Sequence, residues 1–172
     1  MNTVIENLLT RRSVRAFQNK PIEDEDLNLI LKTAIYAPSG MNKQTWKFTA
    51  VVNQELIQKL AKAISQELGR EHYDMYHPQV LVIPSNTKES PWGKEDNACA
   101  LENIFLAAHS LGIGSVWINQ IQGICDRPAI RSILDELEIP SDHTVYGMAA
   151  LGYPAAEPKQ DVEKSGVIHI IR

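Results

Sequence analysis

The chain has 172 residues, a formal net charge of -4, 44% hydrophobic residues and 22% charged residues. This length suits a single domain whose core needs no metal or disulfide, so we expect residues 1–172 to fold together. The negative charge argues against bulk attraction to nucleic acid or to an acidic membrane. Cys99 and Cys125 lie in no CxxC or Cys/His array, which favours free thiols and a reducing, cytoplasmic location.

The stretch from Asn103 to Cys125 contains no Asp, Glu, Lys or Arg and is long enough to cross a bilayer. Its second half is polar and interrupted by glycines, so we expect a buried helix, a turn and a buried strand there instead of a membrane span. The N-terminal residues lack a basic segment followed by an apolar run, so no secretory signal is predicted.

Apolar residues recur at helical spacing in several stretches of the first half, whereas short runs of adjacent apolar residues indicate strands. Acidic residues fill the first turn of the second expected helix, where the helix dipole favours them. In chain order, we expect a helix at 3–10, a helix at 23–36, a loop at 38–42, a strand at 48–52 and a helix at 54–68.

In the second half, a short apolar strand is expected to stop at Pro84, and the polar residues 86–93 are expected to form a mobile lid. The stretch 98–111 is apolar on most sides, which predicts a central buried helix with Gly112 at its end. Asp126 is expected to cap the next helix. The expected elements are a strand at 80–83, a helix at 98–111, a strand at 115–118, a helix at 126–137 and strands at 145–151 and 167–171.

Helices and strands are intermixed without an internal repeat, and several strand pairs have no helix between them. This order favours an α+β fold over a doubly wound parallel sheet. The last expected strand, 167–171, follows a long irregular tail, so we expect it to add to the sheet of a partner chain.

A basic cluster follows the first expected helix and consists of Arg11, Arg12 and Arg15 with the hydroxyl of Ser13. Guanidinium groups bind oxyanions through paired hydrogen bonds, so the cluster suits a phosphate monoester. A solvated basic turn that caps the end of the helix explains the same residues without a ligand. A nucleic-acid site is not expected, because no further basic stripe extends the cluster.

The loop before the first strand contains two amide side chains, Asn42 and Gln44. An amide donates and accepts hydrogen bonds at once, which matches the edge of a heterocycle such as a flavin pyrimidine. A loop whose amides bind their own backbone is the alternative interpretation of these residues.

Other chemical motifs are missing from the sequence. Gly112-Ile113-Gly114 lacks a third glycine and precedes a strand, so it is not a dinucleotide fingerprint. The five histidines show no metal-binding spacing such as HExxH. No GxSxG motif supports a nucleophilic serine.

Four pieces of the sequence, taken in order, resemble the nitroreductase family of FMN-dependent oxidoreductases, and its short members in particular. Each piece is modest by itself, whereas their order over nearly the full length is specific. The pieces are 11–17 (RRSVRAF), 37–48 (APSGMNKQTWKF), 106–114 (LAAHSLGIG) with Trp117 and Ile118, and 150–154 (ALGYP) with a basic tail.

The resemblance implies a nitroreductase-like fold, with a central mixed or antiparallel sheet flanked by helices, and a homodimer that holds one FMN at each of two subunit interfaces. It implies that Arg11, Ser13 and Arg15 grip FMN with help from Arg12, the first arginine lying at the phosphate and the last near the N1/O2 edge of the ring. The further implied flavin contacts are Pro38, Ser39, Asn42 and Gln44 from the other subunit, the backbone of 117–119 with Ile118 and Asn119, and Lys164 at the phosphate, with Lys159 as the alternative.

By the same resemblance, NAD(P)H is the co-substrate, and a small acceptor such as a nitroaromatic or a quinone takes the electrons in a ping-pong reaction. The flavin carries the redox chemistry, so neither a nucleophilic side chain nor a metal is expected. Arg15 is expected to stabilise the reduced flavin by its charge. The sequence departs from the family pattern at Thr45, at Val162-Glu163 and in the short region 69–95, which leaves the acceptor open.

Three alternatives stay open at this point. One is an FMN-binding protein without turnover, serving storage or sensing. Another is a flavin-fragmenting or dehalogenating enzyme on the same fold, and the third is an interaction domain in which the arginine cluster is a salt-bridged turn.

Overall fold

The computed structural model describes residues 2–159 and 162–172. This described part is an α+β fold with helices on both faces of one sheet, which confirms the predicted fold class. None of its helices is long and apolar enough to cross a bilayer. The elements are α1 (Thr3–Thr10), α2 (Asp24–Ala34), a 3-10 turn (Gly40–Asn42), β1 (Trp46–Val51), α3 (Gln54–Leu68), β2 (Val80–Thr87), α4 (Gly93–Ser110), β3 (Gly114–Ile118), α5 (Pro128–Glu136), β4 (His143–Thr144) and β5 (Met148–Gly152).

The sheet has the strand order β1-β2-β5-β3, and β4 pairs with the end of β2. All of these strand pairs are antiparallel. β1 and β3 are therefore the edges of this path, and β1 pairs only with β2 among the described residues.

Alternating side chains of β2 divide the core into two layers, because neighbouring residues of a strand point to opposite faces. Leu81 and Ile83 pack with residues of α3 and α5. Val80 and Val82 pack with residues of α2 and α4. Both faces of β2 are thus covered, which explains why the sequence of this strand is a continuous apolar run.

α4 lies between the sheet and α2 and buries Ala100, Leu101, Ile104, Phe105 and Ala108. The prediction of a central buried helix is confirmed, although the helix begins at Gly93 instead of residue 98. Burying one such large apolar side chain contributes about 1.5–3 kcal/mol, so α4 is a main source of stability.

The prediction that β2 stops at Pro84 is wrong. The strand continues to Thr87, with Pro84 opposite Phe48 of β1. On the other side of β2, Pro84 falls between the segments that pair with β5 and with β4, where a residue without an N–H is tolerated. The predicted lid at 86–93 is therefore wrong in extent: Asn86 is fully buried in the strand, and only 88–92 connect it to α4.

Other boundaries also differ from the predictions, most clearly those of α5 and β5. α5 begins at Pro128, whose fixed φ suits the first helical position, and its N-cap is Arg127 instead of Asp126. The carboxylate of Asp126 instead binds Lys88 Nζ at 2.9 Å. β5 begins at Met148, and Val145 lies in the loop before it.

The tail 162–172 forms no strand with the sheet of its own chain, and the expected pairing of 167–171 with a partner chain stays a prediction. Its apolar side chains are open to solvent, Val167 by 98% and Ile168 by 90%. A strand needs a neighbour to satisfy its backbone hydrogen bonds, and this segment has none within the described chain.

The arginine segment, which we define as residues 11–17, runs along the outer side of β3. Val14 N donates to Ser115 O at 2.9 Å, and Ser13 forms a parallel bridge with Ser115. A Cβ on Gly114 would lie 2.8–2.9 Å from the side-chain carbons of Val14, so the two backbones approach closely only because residue 114 is a glycine.

We expect Gly114→Ala to destabilise the protein by about 1–3 kcal/mol, because the added methyl group forces the arginine segment away from β3. Thermal unfolding should show a lower Tm, by about 2–4 °C for each kcal/mol in a domain of this size. Gly166→Ala is the control, since a Cβ there would meet nothing within 4 Å. Equal Tm values for the two variants would contradict the prediction.

Candidate functional site

The arginine segment directs alternate side chains to different surroundings, as extended backbone does. Ser13 and Arg15 line a cavity of about 140 Å³ together with tail residues that include Pro158. Arg12 lines a different cavity, of about 320 Å³, with His109. Ser13 and Arg15 are exposed, so their polar groups are accessible to a ligand.

Arg12 acts on its own chain. Its Nη1 donates to Leu9 O and to Arg11 O, each at 2.8 Å, and so satisfies a carbonyl at the end of α1. This is the capping role that the alternative interpretation of the basic cluster predicted. Arg11 differs, because its Nε lies 3.8 Å from Glu102 Oε1 on α4 in a loose, half-exposed ion pair.

His109 of α4 lies beside the arginine segment. Its Nε2 is 2.9 Å from Thr10 Oγ1 at the end of α1. Burial lowers the pKa of His109, and the nearby charges of Arg11 and Arg12 lower it further. Arg11, Arg12 and His109 therefore form an electropositive region at the C-terminal end of α4.

The amide loop, which we define as residues 38–44, organises its own polar groups. Gln44 Nε2 donates to Asn42 Oδ1 at 2.8 Å, and Gln44 N donates to Ser39 Oγ at 3.2 Å. Because Nε2 and Oδ1 bind each other, Asn42 Nδ2 remains as a donor for a ligand and Gln44 Oε1 remains as an acceptor. Pro38 is exposed at the start of the loop.

Residues beneath the amide loop hold it to the body of the protein, and they were not predicted. Gly40 N donates to Asp96 Oδ1 at 2.8 Å, and the ring of Trp92 covers Gly40. Thr45 Oγ1 donates to Asn86 Oδ1 at 2.7 Å. The available signal was an acidic residue at the start of an apolar helix, which was missed because the helix was predicted to begin after Asp96.

The end of β3 presents Ile118 and Asn119. Ile118 is buried, whereas Asn119 is exposed and its backbone N donates to Gln120 Oε1 at 3.0 Å. The same Oε1 accepts a 3.0 Å hydrogen bond from the hydroxyl of Tyr73. Burial, and to a smaller extent the neighbouring Tyr76, raises the pKa of Tyr73, so this hydroxyl remains a donor.

The two lysines of the tail differ in their surroundings. Lys159 follows Pro158, which lines the cavity beside Ser13 and Arg15. Lys164 lies in the exposed segment 162–172. Both remain candidates for a phosphate contact.

The arginine segment and the amide loop lie at opposite ends of α4. The amide loop is bound to Asp96 near the start of the helix, whereas Thr10 is bound to His109 near its end. Since an α-helix rises about 1.5 Å per residue, these two attachment points are about 20 Å apart. They also belong to opposite edges of the sheet, because the amide loop precedes β1 and the arginine segment pairs with β3.

Known proteins share this arrangement of helices and strands. The profile of the nitroreductase family matches residues 8–80 and 70–153. The chain belongs to the nitroreductase family. The match covers the arginine segment, the amide loop and α4, and it ends before Lys159 and Lys164.

Individual proteins resemble the chain over most of its length. A nitroreductase of Bacteroides fragilis, solved with bound FMN, is 45% identical with a TM-score of 0.91, and both chains are covered completely. A protein of Archaeoglobus fulgidus, provisionally named an NADH dehydrogenase/NAD(P)H nitroreductase, is 34% identical over 91% of this chain and 88% of that protein. An FMN reductase (NADPH) of Bacillus subtilis is 26% identical over 98% of this chain and 74% of that protein.

We expect His109→Gln to reduce the loss of stability on acidification. The folded-state pKa of His109 is lowered, so below about pH 6.5 the unfolded chain takes up a proton before the folded one, and the free energy of unfolding falls as the pH falls. Glutamine retains a polar partner for Thr10 without this titration. Chemical unfolding between about pH 7.5 and pH 5.5 should therefore give a shallower slope for the variant.

His143 also lowers the free energy of unfolding on acidification, because its folded-state pKa is lowered, chiefly by burial. His109→Gln should therefore remove only part of the slope, and His143→Gln is the companion measurement. Identical slopes for His109→Gln and the unsubstituted protein would contradict the assignment.

Proposed function

We propose that the protein is an NAD(P)H-dependent FMN oxidoreductase that passes electrons to a small organic acceptor, such as a nitroaromatic or a quinone, by a ping-pong route. The proposal is supported by membership of the nitroreductase family, by the FMN bound to the B. fragilis relative and by the B. subtilis FMN reductase. The main observation in its favour is that the amide loop lies near the start of α4 and the arginine segment lies near its end, so the two regions offer different groups to a ligand.

The chemistry of the donors fits FMN. Arg11, Ser13 and Arg15 offer two guanidinium groups and a hydroxyl to a phosphate and to the oxygens of a ring edge. Asn42 Nδ2 and Gln44 Oε1 offer a donor next to an acceptor, which is what the alternating C=O and N–H groups of a flavin pyrimidine require. The remaining proposed contacts are Pro38, Ser39, the backbone at Ile118 and Asn119, a supporting contact from Arg12, and Lys164 or Lys159 at the phosphate.

Bound FMN would supply the two-electron redox chemistry between NAD(P)H and the acceptor. Arg15 contributes a fixed positive charge near the N1/O2 edge of the ring, where reduction adds negative charge. Arg11 holds the phosphate, so it affects retention of the cofactor instead of its redox chemistry. In this scheme the protein binds, orients and supplies charge, and no side chain acts as a nucleophile.

We expect Arg15→Ala to lower the reduction potential of the bound flavin, because it removes the charge that favours the reduced form. A charge-assisted hydrogen bond contributes about 1.5–3 kcal/mol, which corresponds to roughly 30–65 mV for a two-electron couple. Arg11→Ala should instead weaken FMN binding by about 10- to 100-fold and leave riboflavin binding unchanged, since riboflavin lacks the phosphate. Potentiometry and fluorescence titration measure the two effects.

Arg127→Ala is the matched control for both arginine variants, because Arg127 is exposed and makes no side-chain capping bond at α5. A potential that does not change in Arg15→Ala would contradict its assigned role. An equal loss of FMN and riboflavin binding in Arg11→Ala would contradict the phosphate contact.

The proposed active form is a homodimer with FMN at each subunit interface. One chain attaches its arginine segment and its amide loop to α4 at points about 20 Å apart, so we expect a second chain to bring both kinds of group around one ring. α1 buries none of its residues, and Val4, Ile5, Leu8 and Leu9 are exposed. A groove of about 440 Å³ runs between α1 and α4, and an apolar surface of this kind is typical of a subunit interface.

In the proposed dimer, the tail of each chain adds residues 167–171 to the sheet of the other. The outer side of β1 is a free edge among the described residues, and a groove of about 290 Å³ lies beside it. Strand addition satisfies the backbone of both partners and covers the exposed apolar side chains of the tail.

We expect deletion of residues 167–172 to weaken the dimer and to lower FMN occupancy, because it removes the exchanged strand. Light scattering at micromolar concentration should give a lower mass than for the full chain. Val162→Ser is the control, since it removes an exposed apolar tail residue that lies outside the proposed strand. A full chain that is already monomeric with bound FMN would contradict the proposal.

The first experiment is a visible spectrum of the purified protein, followed by anaerobic addition of NADH or NADPH. The proposal predicts a yellow protein that bleaches and recovers its colour with a nitroaromatic or a quinone. A yellow protein that does not bleach would instead support FMN binding without turnover. A colourless protein that takes up no FMN would contradict the proposal.

The proposed location of the protein is the cytoplasm, where its two free cysteines would stay reduced.

A further inference from the structure

We propose that Asp96 is a positioning residue that holds the amide loop in the conformation that binds the flavin ring. This inference rests on the proposed function, since it assumes that Asn42 and Gln44 contact FMN. It adds a buried carboxylate, remote from the arginines, as a determinant of the site.

Asp96 is an unusual residue for its position. The residue is only 4% exposed, and its Oδ1 accepts the hydrogen bond from Gly40 N at 2.8 Å. A buried carboxylate is costly unless hydrogen bonds and local dipoles offset the lost hydration. Asp96 lies in the first turn of α4, where the helix dipole favours negative charge, and the Gly40 amide supplies a direct partner.

Gly40 can donate this hydrogen bond because it lacks a side chain. A Cβ at this position would lie 2.5–2.6 Å from ring atoms of Trp92, which is closer than two carbons can approach. The carboxylate therefore holds the Gly40 backbone close to α4. The Trp92 ring fills the space where a side chain at residue 40 would lie. Thr45, tied to Asn86, fixes the other end of the amide loop.

Gly40 and Thr45 are hydrogen-bonded to the body of the protein, and three residues between them have strained backbone conformations. Met41, Asn42 and Gln44 have φ values of 52°, 55° and 50°, in the left-handed region that residues other than glycine seldom adopt. Such conformations persist only where the surroundings enforce them. We infer that the Asp96 bond offsets this strain and so orients the side chains of Asn42 and Gln44 before the flavin arrives.

The test compares Asp96→Ala, Asp96→Asn and the control Glu95→Ala. Glu95 lies in the same helical turn and is exposed, so its loss removes the same charge without affecting Gly40. We expect Asp96→Ala to weaken both FMN and riboflavin by about 10- to 100-fold, since a lost hydrogen bond to a charged group has that effect. Asp96→Asn keeps an oxygen that accepts from Gly40, so it should recover most of the affinity, and Glu95→Ala should match the unsubstituted protein.

Amide hydrogen exchange on the flavin-free protein gives a readout that does not depend on the cofactor. The Gly40 amide should be protected in the unsubstituted protein and in Glu95→Ala, and should exchange at least about 10-fold faster in Asp96→Ala. If Asp96→Ala does not fold, Gly40→Ala provides the second variant, because its methyl group displaces the loop from Trp92 and leaves the carboxylate in place. It should weaken both flavins as well.

The outcomes separate this inference from the proposed function. If the unsubstituted protein binds no FMN, the proposed function fails, while the Gly40 exchange data still test the contact. If the unsubstituted protein binds FMN and Asp96→Ala binds it equally well, the role of Asp96 is overturned. Failure of Asp96→Asn to recover affinity, together with normal Gly40 protection, would also overturn it.

Discussion

Burial of α4 is the constraint on which the rest of the structure depends. The helix packs against the sheet on one side and α2 on the other, and a side chain near each of its ends makes a hydrogen bond to a neighbouring segment. Near its start, Asp96 binds the loop that carries two amides, and near its end, His109 binds Thr10 beside the arginines. Because the middle of α4 is fixed by apolar packing, the separation of these two polar regions is also fixed.

Close backbone contact has the same importance at the two halves of the site. Gly114 allows the arginine segment to lie against β3, and Gly40 allows the amide loop to lie under Trp92. In both places the absence of a side chain lets backbone lie next to a neighbour, Val14 at Gly114 and Trp92 at Gly40, close to the polar side chains of the site. Packing therefore decides where the polar groups are, and hydrogen bonds decide how they are oriented.

The sequence predicted the core well, because apolar periodicity reports directly on burial: α3 has the predicted bounds, and α4 was recognised as central. It failed at Pro84 and Asp126, where the outcome depended on which strands lie beside β2 and on an ion pair with Lys88. The arginine and amide residues were predicted from their chemistry and family resemblance, and their contacts with FMN stay a prediction. Asp96 was not, because the value of a buried carboxylate depends on a backbone amide far away in sequence.

The attachment of the two polar regions to opposite ends of one rigid helix has a genetic consequence. In the proposed dimer, each site takes its arginines from one chain and its amides from the other. A chain lacking Arg15 and a chain lacking Asn42 would then each be impaired at every site when alone, yet their mixed dimer would contain one intact site beside one doubly defective site. Two recessive defects in the same polypeptide would complement each other, with activity limited to half of the sites in each mixed dimer.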